Sequence, residues 1–482
     1  MVRVRVDPFV ASIPDFAFYK RKKLAEVELC EGLVEIGEQS FRYCCHSITK
    51  INIPNSLRRI KDYAFAGSLR TPIRLHDGIE SIEEYAFAWC IFTNFRVPLF
   101  ITVIPDRMLY NCKLIFSLEI PKNVTEIGNG ALQGTYCLRN VAIPPTAVFG
   151  DDDIFIETLM GTTIISDLQR LFGSEAEIIW ELQHRFNGLP IHSIVYYHSY
   201  NENVPQKLIA AMNMRSGQSR TLRSKLNPTG NQQDCLGMTP LHILACSSVH
   251  DLELYRVIVE KYSMNLITED RWGALPLLYA FWGAAPTEII EFLLKSYQSL
   301  YPGHAFNWTM MVETMGRCDT PKERIEKLLT VKQMHFPEQP INWEYLLDEF
   351  AKPSTFHLSV VLLQEQMRFL FMCGMSDRVE ALAFKVWRVH IKHMIHTANF
   401  KLRKDNSVIL REIRAKLALF EDELTKLKEA TTILELALWK IMSCHQKKVK
   451  TDESSFRRQS RVTCGAGVVI GHVLLFLITS EV

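Results

Sequence analysis

What the chain lacks narrows it first. It has almost no charge surplus: 55 Lys and Arg stand against 53 Asp and Glu in 482 residues, a formal net of +2. That balance excludes a polyelectrolyte whose main partner is nucleic acid or an anionic membrane surface. The 12 cysteines include no C-x-x-C pair and no cysteine-dense segment, so reduced thiols in the cytosol or nucleus are expected, not a disulfide framework. Met1 to Val10 alternate Val and Arg and contain Asp7 and Pro8, where a secretory leader needs an apolar run. No phosphate-binding loop, G-x-S-x-G, H-E-x-x-H or kinase signature occurs. The expectation is an intracellular, cytoplasmic protein that is not an enzyme and holds no cofactor and no metal.

What is present is repetition. Pairs of apolar residues at i and i+2 recur every 22 to 24 residues: Val4/Val6, Val27/Leu29, Ile51/Ile53, Ile73/Leu75, Phe95/Val97, Leu118/Ile120 and Val141/Ile143. A second set keeps the same register at Ile13, Ile36, Ile60, Ile82, Ile104 and Ile127. So does a third at Phe18, Phe41, Phe65, Phe87, Leu109 and Leu132. One shared spacing would be weak; three sets drifting together predict a solenoid of stacked coils, each burying its apolar edge against the next. Residues i and i+2 lie on one side of a short strand. Pro54, Pro98, Pro121 and Pro144 follow directly and end the ladder, because proline lacks its N–H.

The text that carries this pattern, "ITKINIPNSLRRIKDYAFAG" and "LEIPKNVTEIGNGALQG" with their sister copies, resembles leucine-rich repeats of the BspA-like, treponemal type. The resemblance covers about residues 1–145, six coils and a last strand. One copy departs from it: Asp77 replaces the proline-side turn, and Arg70 stands where most copies have an apolar residue. That puts the packing of one coil in doubt. Cys44, Cys90 and Cys112 recur three residues after the Phe/Leu step, with Ser68 and Thr135 in other copies. A row of one per coil reads as a small buried residue under the turn, not as converging metal ligands.

The residue between each strand pair is expected to face outward: Arg5, Glu28, Asn52, Arg74, Arg96, Glu119 and Ala142. Of these, Glu28, Asn52, Arg74, Arg96 and Glu119 form the expected protein-binding row, its mixed signs favouring a protein over a phosphate backbone. "KRKK" at 20–23 resembles a nuclear import signal, but it falls in an exposed turn before a strand, where lysines are ordinary, and that reading is preferred. The first copy begins on a strand residue, Val4, without a polar cap, so its edge is either covered or preceded by further coils.

After Asp151–Asp153 the grammar changes. "DCLGMTPLHILA" (234–245) and "DRWGALPLLYA" (270–280) align Asp234 with Asp270, Gly237 with Gly273 and Pro240 with Pro276, 36 residues apart. "NGLPIH" (187–192) reads as an earlier, degenerate copy. Each precedes a second helix: "VPQKLIAAMN", "DLELYRVIVEKY" and "TEIIEFLLKSY". Proline suits the start of the first helix, where its missing N–H has no partner to lose. Thr239, Pro240, Leu241 and His242 resemble the ankyrin signature, over about 184–300. In the third copy Leu275 and Leu278 replace Thr and His. The resemblance implies that these residues shape turns and that Arg271 and Trp272 lie at a projecting turn, a second protein-binding pair of hot-spot residue types.

Beyond 300 the pattern is helical. "TPKERIEKLL" has Thr320 as cap, Pro321 first and Glu323 third, and 357–398 is strongly apolar. Leu410, Ile413, Leu417, Phe420, Leu424, Leu427, Thr431, Leu434, Leu438 and Ile441 form a heptad seam over 408–442. It needs an apolar partner: a second chain, giving self-association, or the preceding helices folded back. His390, His393 and His396 drift around a helix and do not make a metal site. Val462 to Thr479 is about 18 residues of mostly apolar character, long enough to span a bilayer, with Gly467-x-x-x-Gly471 within it. His472 and the glycines favour a closing segment packed on helices; a tail anchor is the alternative.

The expected fold is an α+β repeat protein: a leucine-rich-repeat solenoid with short parallel strands, then all-α ankyrin-like repeats and a helical C-terminal region. Expected boundaries are 1–148 for the solenoid, 149–183 for a helical connector and 184–300 for ankyrin-like repeats with a loop insertion near 214–233. They continue with 301–400 helical, 401–445 heptad helix, 446–461 basic linker and 462–482 apolar segment. The whole resembles a diatom-type, multi-copy family that joins the two repeat types. That implies a non-catalytic scaffold or adaptor with an unnamed protein partner and no nucleic acid. The alternative is a membrane adaptor anchored by 462–479.

Overall fold

Each apolar set of the repeat becomes one column of a solenoid. In the computed structural model, which describes residues 2–44, 48–70, 73–150, 154–155, 167–213, 230–317, 320 and 322–349, the first set forms a parallel ladder of Val2–Arg5, Leu24–Glu28 and Lys50–Asn52. The ladder resumes as Asn94–Arg96, Ser117–Glu119 and Asn140–Val141. The second set forms a second parallel column, Ser12–Ile13, Glu35–Ile36, Arg59–Ile60 and Ser81–Ile82, followed by Val103–Ile104, Glu126–Ile127 and Val148–Phe149. Ile36, Ile60, Ile104 and Ile127 are completely buried between coils.

The third set stacks face to face. The rings of Phe18, Phe41, Phe65 and Phe87 lie 5.0, 5.2 and 5.6 Å apart at near-parallel angles. Two backbone positions flank that residue in every coil with positive φ: Phe16/Lys20, Gln39/Tyr43, Tyr63/Gly67, Tyr85/Trp89, Arg107/Asn111 and Gly130/Gly134. This left-handed bracketing turns the intervening N–H to the next coil, so Phe41 N donates to Ala64 O at 2.8 Å and Phe65 N to Ala86 O at 2.8 Å. Left-handed backbone costs an ordinary residue about 1–2 kcal/mol; here inter-coil hydrogen bonds and ring stacking hold it.

The copy with Arg70 and Asp77 is where the ladder stops. Its residues 73–76 pair in no strand; the second column, from Arg59–Ile60 to Ser81–Ile82, and a bridge from Ile48 to Leu69 carry the stack past it. Arg70 is exposed instead of filling the core as its counterparts Ile115 and Leu138 do. Asp77 takes the role of the missing turn by accepting from Leu99 N at 2.6 Å.

Helices follow: α1 (Asp167–Phe172), α2 (Glu175–Gln183), α3 (Pro190–Tyr196), α4 (Val204–Asn213), α5 (Pro240–Cys246), α6 (Leu252–Lys261), α7 (Pro276–Trp282) and α8 (Thr287–Leu300). Ser174 and Glu177 close α2 with a reciprocal capping box. The short helices α3, α5 and α7 pack on one another, and α4, α6 and α8 make a second row. Thr239 and His242 cap α5, with Thr239 Oγ1 2.8 Å from His242 Nδ1 and His242 Nε2 3.0 Å from Ala274 O in the next pair. Asp234 accepts from Leu236 N and Met238 N, and Asp270 from Trp272 N and Ala274 N, so both turns are built alike. Where Leu275 and Leu278 remove the Thr–His cap, Tyr279 OH donates to Asp270 instead.

Met1–Phe306 forms one compact unit and Asn307–Val482 another. In the second, α9 (Trp308–Arg317) packs with α10 (Lys322–His335) and α11 (Trp343–Glu349). Trp308 is buried, its Nε1 donating to Gln339 Oε1 at 2.7 Å. The expected features at 151–153, most of the 214–233 insertion, the apolar stretch 357–398, its histidines, the heptad seam 408–442, the linker 446–461 and the apolar segment 462–482 lie outside the described residues. Among the described residues, no helix is long and apolar enough to cross a membrane.

Candidate interaction surface

The strand-lined face carries two outward columns, set by the alternation of side chains along a strand. One runs Arg3, Glu26 and Lys50, then Asn94, Ser117 and Asn140; the other runs Arg5, Glu28 and Asn52, then Arg96 and Glu119, with Arg74 and Ala142 at the matching repeat positions outside the paired strands. The expected binding row is the second of these, and the structure divides it. Asn52 and Arg74 are exposed and Glu28 half-buried, whereas Glu119 is 2% exposed and Arg96 is largely covered.

The cover is the chain's own helical region. Glu119 Oε1 accepts from Ser247 Oγ, Ser248 N and Ser248 Oγ at 2.9, 2.8 and 3.1 Å, and Oε2 accepts from Ser199 Oγ at 2.7 Å. Arg96 is held by both carboxylate oxygens of Asp77 at 2.8 and 3.0 Å, donates to Ser199 O and Ser199 Oγ, and stacks on Tyr200 at 4.1 Å. Burial pushes the Asp77 carboxyl up, but Arg96 and the Leu99 N–H outweigh it and hold its pKa below the usual range. Arg96 and Glu119 therefore do not face solvent as the repeat pattern leads one to expect. Their charges are taken up inside the molecule.

Further anchors fix the same junction. Tyr196 OH donates to Leu118 O at 2.6 Å and accepts from Ala142 N at 3.0 Å. Burial pushes its phenol pKa far above the usual range. Arg185, with its side chain fully enclosed, pairs with Asp234 at 2.8 Å and donates to Asn140 Oδ1 and Val141 O. Phe116 stacks on Trp282 with ring centroids 4.4 Å apart. Pattern reading of the sequence does not name this set. Its signal is the outward columns themselves, which change from Arg3, Arg5, Glu26, Glu28 and Lys50 to Asn94, Ser117, Asn140 and Ala142.

On the open half, charges partly neutralise one another: Arg3 meets Glu28 at 2.9 Å and Glu26 at 3.6 Å, and Arg5 meets Glu28 at 3.5 Å. Asn52 has a structural task as well, accepting from Leu29 N at 3.0 Å and donating to Leu29 O at 2.6 Å. At the helical turn, Arg271 is exposed; Trp272 is half-buried, with the Arg139 guanidinium 5.0 Å from its ring centroid. Only the first of that pair projects freely.

The cysteine row is internal. Cys44, Cys90 and Cys112 donate to the carbonyls of Phe18, Phe65 and Phe87 at 3.4, 3.3 and 3.1 Å. Burial pushes the Cys90 thiol up to about 11, a poor nucleophile. Among the described residues no group of three or more His, Cys, Asp or Glu converges as a metal site would require.

Residues 3–68 and 35–160 match a family model described as BspA type leucine rich repeat region, in six copies. The likeness to that family is confined to the solenoid. Similar solved structures include a leucine-rich repeat protein from Bacteroides ovatus, 28% identical with a TM-score of 0.31, covering 32% of this chain and 43% of that one. A T. pallidum leucine rich repeat protein is 23% identical with a TM-score of 0.30, covering 31% of this chain and 72% of that one. A leucine rich cell surface protein from Faecalibacterium prausnitzii is 18% identical with a TM-score of 0.19, covering 32% of this chain and 64% of that one. This chain thus spans less than half the length of the Bacteroides ovatus protein. No curated protein matches it.

Proposed function

We propose that this chain is a non-catalytic interaction scaffold that binds a partner protein on the uncovered half of its strand-lined leucine-rich-repeat face. Glu28, Asn52 and Arg74 are the row in contact, and Arg271 with Trp272 offers a second, smaller contact at the helical turn. The observation that carries this reading is the division of the face. The chain's helices dock on one half and leave an extended band of side chains open on the other. A stacked array offers extended faces of this kind in place of a reaction cleft, and the step from that fold to protein binding is one of analogy.

In this reading the helix pairs α3/α4, α5/α6 and α7/α8 are ankyrin-like repeats. The matched Asp234 and Asp270 turns and the Thr239–His242 cap support it. Their role is then to hold the solenoid, since Ser199, Ser247 and Ser248 are spent on Glu119. The scaffold works in a reducing compartment, where thiols such as the buried Cys90 and Cys112 stay unoxidised.

A photo-crosslinking residue placed at Glu28 or Arg74 in the full chain tests the surface. Adducts with a partner protein are expected there and not from the same residue at Lys295, whose side chain is 76% exposed on α8. Equal adducts from all three positions, or none, would remove the strand-lined face from the proposal.

A further inference from the structure

We infer that the uncovered half of the strand-lined face takes an extended, carboxylate-bearing segment of a partner protein, with Lys50 and Arg74 as its cation contacts. This rests on the face being the interaction surface and adds the chemistry of what it binds.

The covered half shows how a cation in this row is engaged. One coil beyond Arg74, in the same column, the guanidinium of Arg96 takes two carboxylate oxygens from Asp77 together with the carbonyl and hydroxyl of Ser199. Bidentate pairing of this kind is the strong, geometry-specific mode of arginine. Arg74 occupies the equivalent outward position and is exposed. Among the described residues neither it nor Lys50 has an ion-pair partner. The carboxylates nearest in the columns are engaged elsewhere: Glu26 and Glu28 by Arg3 and Arg5, Asp77 by Arg96 and Glu119 by serines. The open band therefore ends in uncompensated positive charge.

The covered half begins close by: Ser248 bonds Glu119, and next to it in the chain Val249 is 41% exposed and His250 half-buried. Arg74 stands close enough to His250 for its charge to add to burial and to His198 in lowering the imidazole pKa. Alternate side chains of an extended peptide lie about 7 Å apart. A strand-like segment crossing from the copy that carries Lys50 to the next, which carries Arg74, can present one carboxylate to each. A basic peptide or a nucleic acid would meet the engaged Glu26 and Glu28, and a phosphate backbone would gain only two cations.

The test titrates the full chain, at low ionic strength, with a fluorescein-labelled octapeptide of alternating Glu and Ser and with its Lys–Ser counterpart. Fluorescence polarisation is expected to show binding of the first only. Affinity should fall about tenfold or more in Lys50→Glu/Arg74→Glu, as expected when contacting charges are reversed, with circular dichroism and thermal midpoint unchanged because both residues are exposed. Equal binding of the two peptides, or no loss in the double variant, overturns the inference. If neither peptide binds but the crosslinker at Arg74 still captures a partner, the acidic chemistry is wrong and the surface stands. If the crosslinker also captures nothing, the surface reading fails with it.

Discussion

The Ser247 hydroxyl donates to Glu119 Oε1 at 2.9 Å across 128 positions of sequence. That bond and its neighbours convert a surface carboxylate of the leucine-rich-repeat region into the joint between the solenoid and the helices that follow it. Removing the carboxylate leaves the Ser199, Ser247 and Ser248 donors without their acceptor, and a buried hydrogen bond to a charged group is worth about 1.5–3 kcal/mol. Glu119→Ala is expected to cost at least about 3 kcal/mol in denaturant unfolding. Glu28→Ala, one end of a partly exposed ion pair, should cost under about 1 kcal/mol. Equal losses at the two positions would show that the joint adds nothing to stability.

The aromatic column makes a second, independent demand. Phe65 is completely buried with a ring stacked on either side, from Phe41 and Phe87. Phe65→Ala should cost about 3–5 kcal/mol, and Ile60→Ala in the neighbouring column about 2–5 kcal/mol. A change under about 0.5 kcal/mol at either position would mean that the coil register is wrong.

The apolar columns were legible because periodicity alone determines them. Ile36, Ile60 and Phe65 must be buried in any stack of coils with that spacing. The broken coil was legible too, since Arg70 cannot fill the place of Ile115 or Leu138. The fate of Arg96 and Glu119 was not. Repeat logic turns both outward, and solvent and a docked helix are both outside. Only the tertiary partner decides, and it lies about eighty to one hundred and thirty residues away at Ser199, Ser247 and Ser248. The one local hint is the neutral composition around them, Asn94, Ser117, Asn140 and Ala142, in positions that are charged in the first coils.

Acid should loosen the helical array. Burial, against the opposing pull of Asp234, lowers the pKa of His192 from 6.5 to about 4. Burial, with His198 and Arg74, lowers that of His250 to about 4 as well. The unfolded chain keeps histidine near 6.5. Between pH 6.5 and about 4 it therefore takes up protons that the folded chain refuses. Stability from these groups is complete above pH 6.5 and declines on acidification by about 1.4 kcal/mol per pH unit per histidine. Unfolding free energies at pH 7 and pH 5 should show this slope, and His192→Gln should flatten it. An unchanged slope in that variant would mean that the His192 imidazole is open to solvent.

Gly134 tests the left-handed bracketing most directly. Its φ is +78°, and a Cβ there would lie 3.0 Å from Asn111 Cα and 3.0 Å from Asn111 Oδ1. Other coils carry side chains at the equivalent position, as at Tyr43 and Trp89, so positive φ alone does not forbid them. At Gly134 the backbone of the preceding coil also closes the space, and a backbone cannot swing aside as a side-chain end can. Gly134→Ala should therefore cost about 2 kcal/mol or more, the left-handed penalty with the contact added. Gly303→Ala, with nothing within 4 Å of the new Cβ, should be near neutral by the same unfolding measurement. A neutral Gly134→Ala would mean that the coil can shift along the stack, and that the hydrogen bonds between these turns do not fix the register.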